Sequence, residues 1–264
     1  MYLTHSISVL VPAYNEAPRI SKILKCFLKS KLVDEIIVID DGSADNIRQV
    51  VSRIPANITF LENKTNLGKA SAIIKGVAKA KGDLIFMTDA DYANLNLVHI
   101  DSSIKFAIKH NLDMLLVPTI ILINSVPLFD IAGSFSLLTG LRIIKKSLLV
   151  KALIPKHIGF GLEMFLNKLA VTKKWQVDIM TWKPSVIPPI NPLKTEKSGL
   201  YVGIQRQLLM LQEMHRMGSL PEYLSQYRKL VIEGHHFKKI ALQLQSLSQS
   251  LFLTDSLFHS QNPK

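Results

Sequence analysis

The sequence predicts an α/β fold, with a mostly parallel central sheet covered by helices on both faces. Three observations predict it. Short β-branched apolar runs alternate with amphipathic stretches through residue 117, which is the pattern of βαβ crossovers. The runs are apolar throughout rather than alternating with polar residues, as strands buried on both faces are. Several end on polar or acidic residues, the positions where ligands of open α/β sheets bind.

The first run is Ile7 to Val11, ending at Pro12. Asn15-Glu16 then opens a helix with Ile20, Ile23, Leu24, Phe27 and Leu28 on one face. Glu35 to Ile39 is a second strand, closing on Asp40-Asp41-Gly42-Ser43, and Ser43 and Asp45 are expected caps for a helix from about Asn46 to Arg53. Asn57 to Leu61 is a third strand. Asn66-Leu67-Gly68 turns into a helix carrying Ala70, Ile73, Ile74, Val77 and Ala78, which stops near Gly82. Leu84 to Thr88 is the fourth strand and leads directly into Asp89-Ala90-Asp91. A helix over Asn94 to Lys109 and a strand over Asp113 to Val117 follow. Beyond that the pattern weakens. Helices are expected at Lys146 to Leu153 and Gly161 to Thr172, with strands near Gln176 to Thr181 and Ser185 to Ile187. After Leu200 the chain reads as helical, through about Phe252.

Size and composition bound the rest. The 264 residues, 48% of them hydrophobic, can fill a large core. Cys26 is the lone cysteine, so disulfide frameworks and cysteine-rich zinc sites are excluded and a reducing, cytoplasmic compartment is expected. The first residues lack the features of a secretory signal. Leu112 to Leu141 is apolar, but Asp113, Pro118, Asn124, Pro127 and Asp130 interrupt it, so buried strands are expected rather than a membrane span. The net charge of +12 favours an anionic partner, although solubility alone also accounts for it. Nucleic acid is a poor fit, because the basic stretches lack interleaved aromatics. His157 and the His235-His236 pair have no metal-ligand partner at useful spacing.

Four segments are expected to converge at one edge of the sheet: Pro12-Ala13-Tyr14-Asn15-Glu16, Asp40-Asp41-Gly42-Ser43, Gly68-Lys69 and Asp89-Ala90-Asp91. Carboxylates there can grip a ring or ribose, helix N-termini can receive phosphate, and a divalent cation can bridge a diphosphate. Each piece also has a plain structural reading. Asp40 and Asp41 can cap a helix, and Asp89 and Asp91 can form a turn. Lys69 can be an ordinary first-turn lysine, and Arg142 with Lys145 and Lys146 a solvated basic face. Glu163, the lone acidic residue between Asp130 and Asp178, can be a general base or an exposed first-turn glutamate. Other motifs fail. Asn63 stands where a phosphate loop needs its first glycine, and no Gly-x-Gly-x-x-Gly follows the first strand.

Taken together, Val11 to Glu16, Val38 to Ser43, Asn66 to Lys69 and Gly82 to Asp91 resemble the family 2 glycosyltransferases of GT-A fold. The resemblance is nearest to the dolichyl- or polyprenyl-phosphate sugar synthase branch. Thr139 to Ser147 is similar to that branch's acceptor-side segment, and Gly159 to Glu163 to its next helix start. The resemblance implies a nucleoside pocket lined by Pro12, Tyr14 and Glu16, with Asp40 on the base. It implies Asp89 on the ribose or sugar, and Asp91 on the Mg²⁺ or Mn²⁺ of the diphosphate. Lys69 would contact the nucleotide, and Arg142 a donor or acceptor phosphate. Asp91, Arg142 and Glu163 form the implied catalytic set. The implied activity is inverting transfer of a sugar from a UDP- or GDP-sugar to a polyprenyl phosphate. A saccharide or small hydroxylated acceptor is the alternative, and a non-catalytic nucleotide-binding module a further one.

The expected organisation is a catalytic domain over 1–190, with a nucleotide-binding half at 1–117 and an acceptor half at 118–190. A basic loop and helical extension follow at 191–264. Relatives usually carry transmembrane helices after the catalytic domain, and none is evident here. Lys194, Lys197, Arg206 and Arg216 beside Tyr201, Ile204, Leu208 and Met210 form a basic amphipathic pattern. It can lie on the anionic inner face of a membrane or pack on the catalytic domain. Residues 194–199 are a candidate lid.

Overall fold

The computed structural model describes residues 5–92, 95–117, 121–123, 126–128, 139–156, 158 and 161–180. In chain order the elements are β1 (Ile7–Ala13), α1 (Ala17–Phe27), β2 (Glu35–Asp40), α2 (Ile47–Ser52), β3 (Ile58–Glu62), α3 (Lys69–Lys79), β4 (Leu84–Met87) and α4 (Leu97–Lys109). They continue with β5 (Met114–Leu116), β6 (Ile121–Ile123), β7 (Val126–Leu128), β8 (Arg142–Lys145), α5 (Lys146–Lys151), α6 (Leu162–Thr172) and β9 (Val177–Ile179).

Seven strands form the central sheet in the order β3-β2-β1-β4-β8-β5-β9. All neighbours run parallel except β8, which is antiparallel to both β4 and β5. β6 and β7 pair separately as an antiparallel hairpin. Successive side chains of a strand point to opposite faces, and the two cores follow that rule. Val9, Val11, Ile36, Val38, Phe86 and Ile143 face α1, α2 and α4 on one side. Leu10, Ile37, Ile39, Ile85, Met87 and Ile144 face α3, α5 and α6 on the other. Both faces are therefore dry, and the strands have no polar side to show. Phe27 of α1 meets Phe86 of β4 edge to face, with centroids 5.1 Å apart.

Pro12 sits inside β1 without breaking the sheet. The Leu10 carbonyl accepts from Thr88 N on the β4 side, and the Ala13 carbonyl accepts from Asp41 N on the β2 side. Alternation then turns the proline nitrogen toward β4, which has already ended opposite Leu10, so no ladder donor is lost.

Several expectations are corrected. β8 was read as part of a basic segment, not as a strand; with only Ile143 and Ile144 between two cations it offers no apolar run. Ser43 does not cap α2: its Oγ accepts from Asn15 N instead, tying the β2 loop to the β1 loop. Leu28 lies past the end of α1 and is 39% exposed, off the apolar face. The expected strand at 185–187, the lid at 194–199, the basic C-terminal helices and all three of the singled-out histidines lie outside the described residues. Among the described residues, no helix is long and apolar enough to cross a membrane.

Candidate functional site

Because β1, β2 and β4 are parallel, their C-terminal ends share one edge. The chain leaves β1 outward to β2 and β3, then returns through α3 to β4 on the other side of β1. The strand order reverses there, which opens a crevice for a ligand.

On the β1–β2 side the two loops are bound together. Asn15, in the left-handed region at φ +56, accepts through Oδ1 from Ala44 N, and Asp45 Oδ2 accepts from Ala17 N. Asp40 is buried, and its Oδ1 accepts from Ser43 N at 3.0 Å. Tyr14 is 41% exposed on the rim. Glu16 caps α1 by position, and its carboxylate pairs with Arg19 at 2.5 Å. Pro12 lies half-buried on β1.

On the β4 side, three residues expected from the sequence come together. The Lys69 ammonium lies 2.6 Å from Asp89 Oδ1 and 2.7 Å from Glu163 Oε1. Burial works against that cation, but Asp89 first and Glu163 second outweigh it and hold its pKa above the ordinary lysine value. Lys69 is thus a permanent charge between two carboxylates. The other oxygen of Asp89 accepts from the Tyr92 hydroxyl at 3.1 Å. Burial, then the charges of Asp89 and Asp91, push the Tyr92 phenol well up. Asp91 itself is half-buried.

The segment before β8 closes over Asp89. Gly140 packs so tightly on the Asp89 carboxylate that any Cβ there would overlap it. Arg142, next along, is fully buried, which corrects the solvated-face reading. Its Nε donates to the Thr139 carbonyl and its NH1 to Asn167 Oδ1, each at 2.8 Å. These bonds secure the turn that carries Gly140. Glu163 is likewise buried and ion-paired, not an exposed first-turn glutamate. Asn167, one turn further along α6, puts the Arg142 anchor on the same helix as Glu163.

Tyr92 and Asn167 escaped sequence reasoning. Their signals were adjacency to Asp91 and i,i+4 spacing from Glu163. Among the described residues, no group of three or more His, Cys, Asp or Glu could hold a metal. Both Asp89 oxygens are engaged by protein, one by Lys69 and the other by Tyr92. One or two carboxylates completed by substrate phosphates suit Mg²⁺ or Mn²⁺, so the donor set fits a metal that arrives with a diphosphate.

The chain is similar to several known proteins. Dolichyl-phosphate beta-glucosyltransferase ALG5A of Trichomonas vaginalis is 37% identical over 99 residues, covering 33% of this chain and 31% of the relative. An undecaprenyl-phosphate 4-deoxy-4-formamido-L-arabinose transferase of Edwardsiella ictaluri is 35% identical over 97 residues, covering 33% of this chain and 30% of the relative. The chain thus spans about a third of the length of these curated relatives. Glucosyl-3-phosphoglycerate synthase of Mycobacterium tuberculosis, solved with Mn²⁺, UDP and glucosyl-3-phosphoglycerate, superposes with a TM-score of 0.60 at 18% identity, covering 81% of this chain and 80% of that one. That likeness shows the fold, which is GT-A. The family model Glycosyl transferase family 2 matches residues 8–144, a span that runs from β1 through Ile144 of β8 and contains Asp40, Lys69, Asp89, Asp91 and Arg142. Since the match takes in more than half of the 264 residues, the chain belongs to Glycosyl transferase family 2.

Proposed function

We propose that the chain transfers a hexose-type sugar from a UDP- or GDP-linked donor to a polyprenyl phosphate, with inversion at the anomeric carbon. The observation that carries this reading is the Lys69 ammonium held between Asp89 and Glu163 at the topological switch point. A fixed cation between a strand-end carboxylate and a helix-start carboxylate is a polar receptor for a sugar, orienting the carboxylate that accepts its hydroxyls. The names of the matched relatives, which act on dolichyl and undecaprenyl phosphates, support the acceptor class.

In this reading Pro12, Tyr14, Glu16 and Asp40 receive the nucleoside. Asp89, oriented by Lys69, Tyr92 and Gly140, accepts hydroxyls of the ribose or sugar. Asp91 would hold Mg²⁺ or Mn²⁺, which supplies positive charge to the diphosphate. An acceptor phosphate oxygen forms the new bond to the anomeric carbon as the bond to the diphosphate oxygen breaks, and the electron pair leaves with the nucleoside diphosphate. A phosphate acceptor is already anionic and needs no base. Glu163 then serves to hold Lys69. Arg142 acts from behind, keeping the 139–141 turn against Asp89.

The test is transfer from radiolabelled UDP-glucose or GDP-mannose to undecaprenyl phosphate in detergent. Label should enter the organic phase only when both acceptor and divalent metal are present. Label remaining in water, as free sugar or on a soluble acceptor, would overturn the polyprenyl reading. Glu163 next to the donor cluster favours one second reading, transfer to a saccharide or small hydroxylated acceptor with Glu163 as base. Glu163→Gln that keeps donor binding but abolishes turnover supports that alternative. Asp91→Ala should remove metal-dependent nucleotide binding. If that binding survives unchanged, the assignment of Asp91 to the metal is wrong.

A further inference from the structure

Lys69 occupies an electrostatically awkward place. It is the first residue of α3, where the helix dipole disfavours a cation, and α3 has no acidic residue in its first turn. Its N-cap, Gly68, has no side chain to accept from the helix start. Asn66 Oδ1 accepts from Gly68 N at 3.1 Å, and a stronger hold comes from the loop after β2.

Asp41, just past β2, is 4% exposed. Its Oδ1 accepts from Asn63 Nδ2 at 2.8 Å and from Leu67 N at 3.0 Å, and its Oδ2 accepts from Gly68 N at 2.7 Å. Three donors on one buried carboxylate fix both the start and the end of the 63–68 loop. The Asn63 amide is itself oriented, because its Oδ1 accepts from Lys75 Nζ of α3 at 2.9 Å. Gly42 completes the clasp. At φ +75, a Cβ there would lie 2.5 Å from the Thr65 carbonyl carbon and 2.8 Å from Asn66 N, so the loop backbone rests directly on Gly42. Asp41 N in turn donates to the Ala13 carbonyl at 2.8 Å, which ties the clasp to β1.

We propose that Asp41 is a positioning residue for sugar transfer, acting through Lys69. By gripping the 63–68 loop, it sets where α3 begins and so where the lysine ammonium bridges Asp89 and Glu163. Its negative charge at the α3 terminus also offsets the cost of starting a helix with lysine. The inference rests on the proposed donor site only in its consequence for catalysis; the structural coupling of Asp41 to Lys69 stands apart from it.

The experiment separates the two. Lysine labelling by an acylating reagent, read by mass spectrometry, reports the accessible neutral amine at each position. In the wild-type chain Lys69 should label slowly. In Asp41→Asn, which has one acceptor oxygen in place of two, Lys69 should label about tenfold faster, the change that one pKa unit brings. Lys105 on α4 should label unchanged. An unchanged Lys69 rate overturns the proposal whether or not the chain transfers sugar. If Asp41→Asn fails to fold, all lysines label alike. Asn63→Ala, which removes one of the three bonds, is then read on the same scale: a faster Lys69 supports the proposal and an unchanged one overturns it. For catalysis, Asp41→Asn and Lys69→Met should lower kcat/KM by similar factors, and the double variant should be no worse than Lys69→Met. Factors that multiply mean that Asp41 does not act through Lys69. Absence of transfer in every variant and in the wild type, with labelling as expected, overturns the proposed function and leaves the positioning intact.

Discussion

Replacing Lys69 with methionine tests the centre of the site. The side chain keeps its unbranched stem, one atom shorter, and loses its charge. Asp89 and Glu163, now bridged by the ammonium at 2.6 and 2.7 Å, would face each other without it. Removing one member of a buried ion pair costs about 3–5 kcal/mol, because the remaining charge is left uncompensated. Glu163 is 8% exposed and merits that figure, but Asp89 is 32% exposed and solvent screens it. A loss of about 2–3 kcal/mol is therefore expected, which lowers Tm by about 5–10 °C in a domain of this size. The pH dependence identifies the cause. In the wild type Lys69 has a raised folded pKa, so its contribution is fully present below the unfolded value of about 10.4 and is lost as pH rises through the folded one. Across neutral pH that contribution is constant. In Lys69→Met the penalty is carboxylate repulsion, which fades as pH falls and one carboxyl takes a proton. The gap in Tm between wild type and variant, followed by thermal denaturation from neutral to acidic pH, should shrink. Lys69→Met with Glu163→Gln should recover most of the loss at neutral pH. A gap that is absent at neutral pH, or that does not change with pH, refutes the electrostatic account.

Other substitutions probe the surrounding frame. Arg142→Met should cost about 2–4 kcal/mol in urea denaturation, because it leaves the Thr139 carbonyl and Asn167 Oδ1 without their buried donor; a loss under about 1 kcal/mol would mean the guanidinium does not hold the turn. Gly140→Ala must push the Asp89 carboxylate aside, and kcat/KM should fall by about a hundredfold with a much smaller change in urea midpoint. Glu35 reports on the far edge of the sheet. Burial raises its pKa, but the Ser8 hydroxyl and the N–H groups of Lys81 and Gly82 outweigh that and hold it below the ordinary glutamate value. A depressed pKa gives stability above the unfolded value of about 4.3 that is lost as pH falls through the folded one. Ser8→Ala should therefore move acid unfolding, followed by circular dichroism, to higher pH.

The parts of the fold legible in the sequence are those set by local period. The alternation from Ile7 to Val117 appears in the structure with ends shifted by no more than three residues, because strand and helix repeats are properties of short windows. β8 was invisible for the opposite reason. Two apolar residues between cations make no apolar run, and what makes Arg142–Lys145 a strand is the slot between β4 and β5. The site divides the same way. Asp40, Lys69 and Asp89 stand at element ends that patterning locates. The pairing of Lys69 with Glu163, 94 residues away, depends on how α6 packs across the sheet, and no local rule encodes it. Its traces were a lysine opening a helix against the dipole and a single carboxylate in a long stretch without acids. Asp41 illustrates an ambiguity of type. Helix cap and loop clasp ask for the same side chain, and only the folded partners Asn63, Leu67 and Gly68 distinguish them.

The placement of β8 also governs the order in which the molecule can be completed. β5 is made before β8, yet its neighbours in the sheet are β8 and β9, both encoded later. A nascent chain that has reached residue 117 can join β1 to β4, but it must keep Met114–Leu116 waiting until Arg142–Lys145 emerges to fill the gap. A fragment cut at that point would expose the β4 edge and a three-residue apolar strand with no place to pair, a combination that favours aggregation. Residues 1–117 are therefore separable in the pattern of the sequence but not as a piece of matter: the strand that fills the gap in their sheet is the one that carries Arg142.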